Sequence, residues 1–458
     1  MRKLTISTIV LSLMFLGISC GGSGVTIRPV TLEYWRMDDS PEVLATAIEE
    51  YTKLHPNVSI NVRSFRADEY ELALLEAIAE NRGPDMFSVP NTWLDGWKEK
   101  ILPMPETTIV PSQVVTPDKK IVEANLESDT ITKLELINDY VEVVVDDVVK
   151  LTTVERRGDK LEEKIWGIPY SAESIAIFYN VDLLRQVDIS EPPETWKQLQ
   201  DYVKKLTVLD DDGNIEQSGA AIGTSRNVRH HTELIAAIMM QNGAQMIDGS
   251  GYARFDRYTP DTSHLAYPPG VQALVFYQSF GRKGTSTYTW NNDMPDSLDA
   301  FIAGKTAFYF GFPYDRDEIR DRAPRLNFKT ASMPQVDPTE VRNNARYPVE
   351  TVSKKTANPN EAWDFLLFAA SEEQVVHYLR ETGRPTALRN LIDDQLLDAD
   401  AAPFVTQVLT SESWYRGKDY SKVEEAFGTM IETYPSERRP DYTPIVSTAA
   451  SVVNATLR

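Results

Sequence analysis

At 458 residues the chain is too long for one hydrophobic core, which excludes a single small domain and calls for two lobes or domains. Its 42% hydrophobic and 25% charged residues give the balance of a soluble globular protein rather than a disordered or fibrous one. A formal charge of −21 argues against a nucleic-acid partner, since phosphates require a basic face, but it does not identify a small ligand.

The chain opens on Arg2-Lys3, followed over residues 4–18 by an apolar run too short for a mature spanning helix. Small residues then lead to Cys20, the only cysteine, which lacks a disulfide partner. The stretch resembles a bacterial lipobox, although Gly17 stands where an apolar residue is usual and Leu16 lies one step further out. That resemblance implies a signal peptide over 1–19 and lipidation at Cys20; an ordinary signal peptide with an incidental cysteine is the alternative. Residues 20–25, with Gly21-Gly22-Ser23-Gly24, read as a flexible tether. No later apolar run reaches spanning length, so the expectation is a soluble body outside the cytoplasm, at the cell surface or in the periplasm, anchored by one lipid.

Residues 30–35 read as a first strand. Ser40-Pro41 then opens a helix with Val43, Leu44, Ala47, Ile48, Tyr51 and Leu54 on one face. His55-Pro56-Asn57 ends it, and Val58, Ile60 and Val62 alternate as a strand. A second helix is expected over 70–79 with Leu72, Leu75 and Ile78 inward; Gly83-Pro84 stops it before a third strand over 85–89. Strand, helix, strand, helix, strand is the pattern of an open parallel sheet, whose ligands bind beyond the strand C-termini. Attention therefore falls on residues 36–39 and 90–93. Asp38 and Asp39 read equally well as solvated charges near a helix N-terminus, and Trp93 as core. Residues 103–160 mix prolines, Thr-Thr pairs and charges, and yield no pattern.

Residues 164–169 read as a strand stopped by Pro169, and 175–179 as a second strand, joined by the small polar link 170–174. The link is either an ordinary loop or a passage between lobes. Thr195-Trp196-Lys197-Gln198 is a capping box. Asp210 to Asn214 has its glycine misplaced for a calcium loop and reads as a turn. His230-His231 are adjacent, so they do not share a helix face as zinc ligands would; they read as polarity at a helix start. Gly304-Lys305-Thr306 lacks the earlier glycine of a phosphate loop, because that position is Asp299. Asn358-Pro359-Asn360-Glu361 and Ser371-Glu372-Glu373-Gln374 read as two further capping boxes, and a last helix carries Val446, Ala449, Val453 and Leu457 on one side.

Several of these stretches, in this order, resemble the extracellular solute-binding proteins of ABC importers, the maltose-binding-like group. They are Glu33-Tyr34-Trp35, His55-Pro56-Asn57-Val58, Gly83-Pro84-Asp85-Met86-Phe87, Trp166-Gly167-Ile168-Pro169-Tyr170 with Phe178-Tyr179-Asn180, Pro192-Pro193-Glu194-Thr195-Trp196, and 300–314. The resemblance covers most of residues 26–458, with a gap near 103–160. It implies a type II periplasmic-binding-protein fold: two α/β lobes, each a mostly parallel sheet flanked by helices, joined by hinge strands. One lobe would comprise 26–171 and 350–384, the other 172–349 and 385–458, with crossings near 166–180, 346–354 and 382–386. Carried over residue by residue, it implies ligand contacts from Asp39, Asn91, Thr92 and Trp93, from Glu173 in the hinge link, from Tyr314 after Pro313, and from Trp414; it also sets His230-His231 among ligand-facing positions of the second lobe, against their plainer reading as helix-start polarity. Such a site would close about the crossings over a sugar or oligosaccharide, stacking rings on aromatic faces and pairing hydroxyls with polar side chains. The implied protein is a monomer without cofactor or metal, performing no reaction and delivering its solute to an ABC permease. The same fold binding a sugar phosphate, peptide, polyamine or organic anion is the alternative, and a secreted glycosidase a remoter one. Glu173, Tyr314 and Trp93 are expected to line one cavity.

Overall fold

The computed structural model describes residues 28–37, 39–115, 121–154, 160–436 and 440–457. The expected signal peptide, Cys20, its tether and Asp38 lie outside the described residues. Among them no helix is long and apolar enough to cross a membrane.

Two five-stranded sheets organise the chain. The first has the order Val58–Phe65, Val30–Met37, Met86–Pro90, Pro348–Ser353, Ile101–Leu102. Its first three strands are parallel, as the alternating sequence pattern dictates. The helix Ala67–Ala79 buries Tyr70, Leu74, Ala77 and Ile78, whereas Leu72, expected inward, is exposed. Leu54, expected on the buried face of its helix, is also exposed, because it sits in the last turn beyond the packed stripe. The second sheet has the order Val208–Leu209, Ile215–Ala220, Thr306–Gly311, Ala176–Asn180, Phe328–Ala331. Phe308, Tyr309 and Phe310 are buried in its central strand.

Both sheets are mixed rather than mostly parallel. Pro348–Ser353 runs antiparallel to Met86–Pro90, and Ala176–Asn180 antiparallel to Thr306–Gly311 and Phe328–Ala331. These strands belong to the passages between sheets, so their direction is set by where the chain must go rather than by a right-handed crossover within one sheet. Three passages lie side by side. The first is tied to the second by the bridges Ile168–Glu350 and Ser174–Ala345, and to the third by Ser171–Thr386. The link 170–174 is therefore a connection between sheets, not a loop within one.

Each sheet has its own core. One contains Leu32, Tyr34, Phe87, Trp97, Val349 and Trp363; the other contains Ile177, Leu199, Phe310, Tyr415 and Phe427. Ala387, Leu388, Leu391, Val405 and Val408 pack with the first core, so the stretch after the third passage straddles the junction. Residues 103–160, opaque in sequence, contribute two hairpins, Thr107–Val115 with Ile121–Asp129 and Val149–Val154 with Lys160–Ile165. The strand expected at 164–169 is thus the end of a hairpin followed by the first passage.

The capping box at Thr195 forms in full, with Gln198 N donating to Thr195 Oγ1 and Thr195 N to Gln198 Oε1. Asn358 and Ser371 stand at N-cap positions without a side-chain cap bond. Asp210 Oδ1 accepts from the backbone of Asp212 and Asn214, closing the expected turn. Where the first two passages touch, Gly167 leaves no room for a side chain: a Cβ there would lie 2.4 Å from Val349 Cγ1 and 2.8 Å from Glu350 O. Gly167→Ala is expected to destabilise the protein by about 1–3 kcal/mol through overpacking. An unchanged urea midpoint would show that the passages are not pressed together here.

Candidate functional site

The first strand ends at Arg36 and Met37, and the turn after it delivers Asp39. The helix Glu372–Thr382 stops at Gly383, whose φ of +61 turns the chain sharply and brings Arg384 into the third passage. The left-handed backbone at Gly383 favours glycine, and a Cβ there would also press on the Arg316 guanidinium. Arg384 Nη2 donates to Asp39 Oδ1 at 2.7 Å and Arg384 Nη1 to Glu173 Oε1. Ser171 Oγ donates to the same Glu173 oxygen at 3.2 Å. Asp39 Oδ2 lies 2.9 Å from Arg36 Nη2, which also donates to Glu350 Oε1 at 2.9 Å. Tyr34 and Tyr378 donate their hydroxyls to Glu350 and Asp39. The result is a buried line of alternating charge, Glu350–Arg36–Asp39–Arg384–Glu173, that stitches the first strand to all three passages.

Burial alone would raise the Asp39 pKa, but Arg384 and Arg36 outweigh it and hold the carboxyl below its usual range. For Glu173, burial prevails over the Arg384 ion pair and the pKa is raised.

A second cluster faces this line from the other sheet. Arg346, at the start of the second passage, pairs with Glu233 in the first turn of the helix His231–Gln241 and lies 3.6 Å from Glu424. Tyr420 OH donates to Glu233 Oε1 at 3.2 Å. His230, which precedes that helix, has φ +56, a left-handed conformation unusual for a side chain of this kind and frequent at functional sites. Its Nε2 is buried without a hydrogen bond, although Asp315 Oδ2 lies 3.3 Å away.

Between the clusters lies a cavity of ≈170 Å³. Met37, Pro90 and Tyr347 wall it on the side of the first sheet, and His230, Phe312 and Tyr314 on the side of the second. Glu173, Arg346 and Arg384 reach it from the three passages. Tyr314 is 37% exposed, stacks on Phe312 at 5.6 Å and carries the Arg384 guanidinium 5.5 Å from its ring centre.

The expected site residues separate into two groups. Asp39, Glu173 and Tyr314 gather around Arg384. Asn91, Thr92, Trp93 and Trp414 are not among the residues lining the cavity. The Asn91 amide is occupied: Nδ2 donates to Ser413 Oγ at 2.7 Å and to Asp147 Oδ2 at 3.0 Å, and Oδ1 accepts from Tyr347 N at 3.2 Å. Thr92 is buried with its hydroxyl unpartnered. Trp93 stacks on Trp97 at 5.8 Å and packs against both cores. Trp414 is buried face to face with Phe427 at 5.5 Å, in a core rather than in the cavity. Sequence reasoning does not mark Arg346 or Arg384 as ligand-facing, and it reads His230 first as helix-start polarity, with a ligand-facing place in the second lobe as what the resemblance offers instead. Both arginines stand inside the named passages, and that is their only signal; for His230 the signal is the family resemblance, while its left-handed backbone leaves no mark in the sequence. Among the described residues, no cluster of metal-binding side chains is present.

Two α/β lobes joined by three passages define the class of two-lobed periplasmic binding proteins. The model of the bacterial extracellular solute-binding protein family matches residues 37–376, and the chain belongs to that family, which acts outside the cytoplasm. A putative binding protein of Brucella abortus (strain 2308) is 24% identical over 226 residues, 49% of this chain and 51% of that protein. A probable ABC transporter-binding protein of Deinococcus radiodurans is 21% identical over 281 residues, 58% of this chain and 63% of that one. The chain thus spans about half to three-fifths of the length of these relatives. Among solved structures, an ABC transporter solute-binding protein from Thermotoga lettingae bound to α-D-tagatose shares the fold, with TM-score 0.67, 17% identity, and 93% of this chain and 100% of that one covered. The ABC substrate-binding protein from Listeria monocytogenes in complex with cycloalternan gives TM-score 0.68 and 16% identity, with 94% and 99% covered.

Burial raises the Glu424 pKa to about 7, against the opposing pull of Arg346. A carboxyl whose folded pKa is raised keeps a proton that the unfolded chain releases, so stability falls as pH rises. From about pH 4.5 to about pH 7, Glu424 is expected to lower the melting temperature progressively. Glu233 and His230 act on the same carboxyl, so the variant Glu424→Gln isolates its share. The decline should be shallower in that variant; identical slopes in both proteins would contradict the assignment.

Proposed function

We propose that this chain is the solute-capturing component of an ABC importer, taking a sugar into the cavity between its lobes and handing it to the permease. One observation carries the reading: groups from both sheets and all three passages converge on a single cavity that sets an aromatic and apolar wall beside Glu173, His230, Arg346 and Arg384. Closing two lobes over a solute brings such groups together and expels water, so each lobe supplies part of the contact. A sugar suits the lining. Its C–H face packs on Tyr314, and its hydroxyls pair with Glu173, Arg384 and His230 Nε2, which makes no hydrogen bond of its own. The sugars carried by the structural neighbours support the same solute class.

The division into lobes is 26–171 with 350–384 and 172–349 with 385–458, residues 385–408 lying across the junction. Asn91 and Trp93 act at that junction, setting the geometry of the passages rather than touching solute. The protein works as a monomer tethered to the membrane through lipidated Cys20. It performs no reaction: Asp39 and Glu173 share the Arg384 guanidinium, so neither stands free as the acid or nucleophile of a hydrolase.

Calorimetry after a thermal-shift screen of sugars, polyols, sugar phosphates, peptides and polyamines tests the proposal. At least one sugar should bind, and Glu173→Gln should weaken it by about tenfold to a hundredfold, the range for a hydrogen bond to a charged group. Tight binding of only a peptide or polyamine would overturn the sugar assignment, and loss of a hydrolytic turnover in Glu173→Gln would overturn the assignment as a binding protein.

A further inference from the structure

We infer, resting on the sugar-capture reading above, that the solute is an acidic sugar whose carboxylate or phosphate is held by the free Nε–Nη2 edge of Arg346.

The lining is unequal in charge. Arg346, Arg384 and His230 border the cavity, and Glu173 is the one carboxylate among its lining residues. The two guanidinium groups differ in what they have left to give. Arg384 spends Nη1 on Glu173 and Nη2 on Asp39, so it belongs to the architecture. Arg346 makes its ionic contacts through Nη1 alone, donating to Glu233 with Glu424 3.6 Å from the same nitrogen. Among the described residues no hydrogen bond or ion pair uses its Nε or Nη2. That pair of N–H groups is a planar fork, which matches two oxygens of a carboxylate or phosphate and forms stronger bonds to them than to a neutral hydroxyl. The fork is also held in place. Arg346 N donates to Glu173 O at 2.9 Å, and the guanidinium carbon lies 5.7 Å from the centre of the Tyr420 ring.

The carboxylates nearby are occupied. Glu173 Oε1 accepts from both Arg384 and Ser171. Asp315 Oδ2 accepts from Phe312 N at 2.8 Å and Tyr309 OH at 3.0 Å. Glu233 takes Nη1 and the Tyr420 hydroxyl, away from the free edge. Glu424 is the remaining rival for Arg346, and burial pushes its carboxyl up to about 7, so near neutral pH it readily takes a proton and gives up its charge. The helix His231–Gln241 begins beside the cavity without a capping side chain at His230, and its N-terminal end carries partial positive charge. With its acid group on Arg346, the sugar sets its ring against Tyr314 and brings hydroxyls within reach of the same guanidinium, of Arg384, of Glu173 and of His230 Nε2.

Isothermal titration of the extensively dialysed wild-type protein with matched probes tests this. The pairs are D-glucose with D-glucuronate, D-galactose with D-galacturonate, D-mannose with D-mannuronate, D-glucose with glucose 6-phosphate, and galactobiose with digalacturonate. In at least one pair the acidic member should bind at least about tenfold more tightly than its neutral counterpart. A uronate as the tightest probe assigns a carboxylate to the fork, and glucose 6-phosphate as the tightest assigns a phosphate. In Arg346→Lys, which keeps the charge and loses the fork, the ratio within that pair should fall by about tenfold. A neutral member equal to or tighter than its acidic counterpart in every pair that binds would overturn the acidic solute and leave sugar capture standing. An unchanged ratio in Arg346→Lys would overturn the assignment of the acid group to Arg346. Heat from none of the probes would overturn sugar capture and this inference together.

Discussion

The structure depends on one guanidinium. Arg384 is almost wholly buried and satisfies two buried carboxylates that arrive from different parts of the chain, Asp39 and Glu173. Through Asp39 and Arg36 the line extends to Glu350 in the second passage. Buried ions are expensive to desolvate, and they persist only where each is paired and hydrogen-bonded in a fixed geometry. Here the pairing costs dearly to break because every member is shared, so the line fixes how the three passages lie against one another. Burial would lower the Arg384 pKa, yet Asp39 and Glu173 prevail and raise it, which keeps the cation in place at all relevant pH values.

This arrangement separates binding from architecture. Asp39 points its charge into the line, and its neighbours consume its oxygens. Glu173 belongs to the same line and also borders the cavity. Arg346 plays the matching part on the opposite side, joining the second passage to Glu233 at the head of a helix. A solute seated as proposed, between Arg346 and Arg384, would touch both ionic clusters at once. Asn91, Asp147, Ser413 and Tyr347 make a separate polar knot that binds the second passage to the segment leading into the last helices.

Much of the fold was legible because it is local. Alternation in 58–62 and the capping box at Thr195 act over a few residues, and the structure places strands and a capped helix there. The passages were legible only through resemblance, since nothing local distinguishes a link between lobes from a loop. The hairpins in 103–160 were illegible because their strands interleave Thr, Pro and charge with few paired apolar positions. The site was the least legible part. Glu173 and Tyr314, named through family resemblance, border the cavity, yet the arginines that complete it come from 346 and 384, joined only by long-range ion pairs. Trp414 has the sequence look of a ligand platform and spends its face on Phe427 instead. Aromatic type alone does not reveal which face stays open.

A crystal structure of the protein with the tightest-binding sugar tests the central claim most directly. The account predicts the solute in the cavity, its ring against Tyr314 and its hydroxyls within hydrogen-bond distance of Glu173, His230, Arg346 and Arg384. A solute seated elsewhere on the molecule, with this cavity filled by water alone, would contradict it.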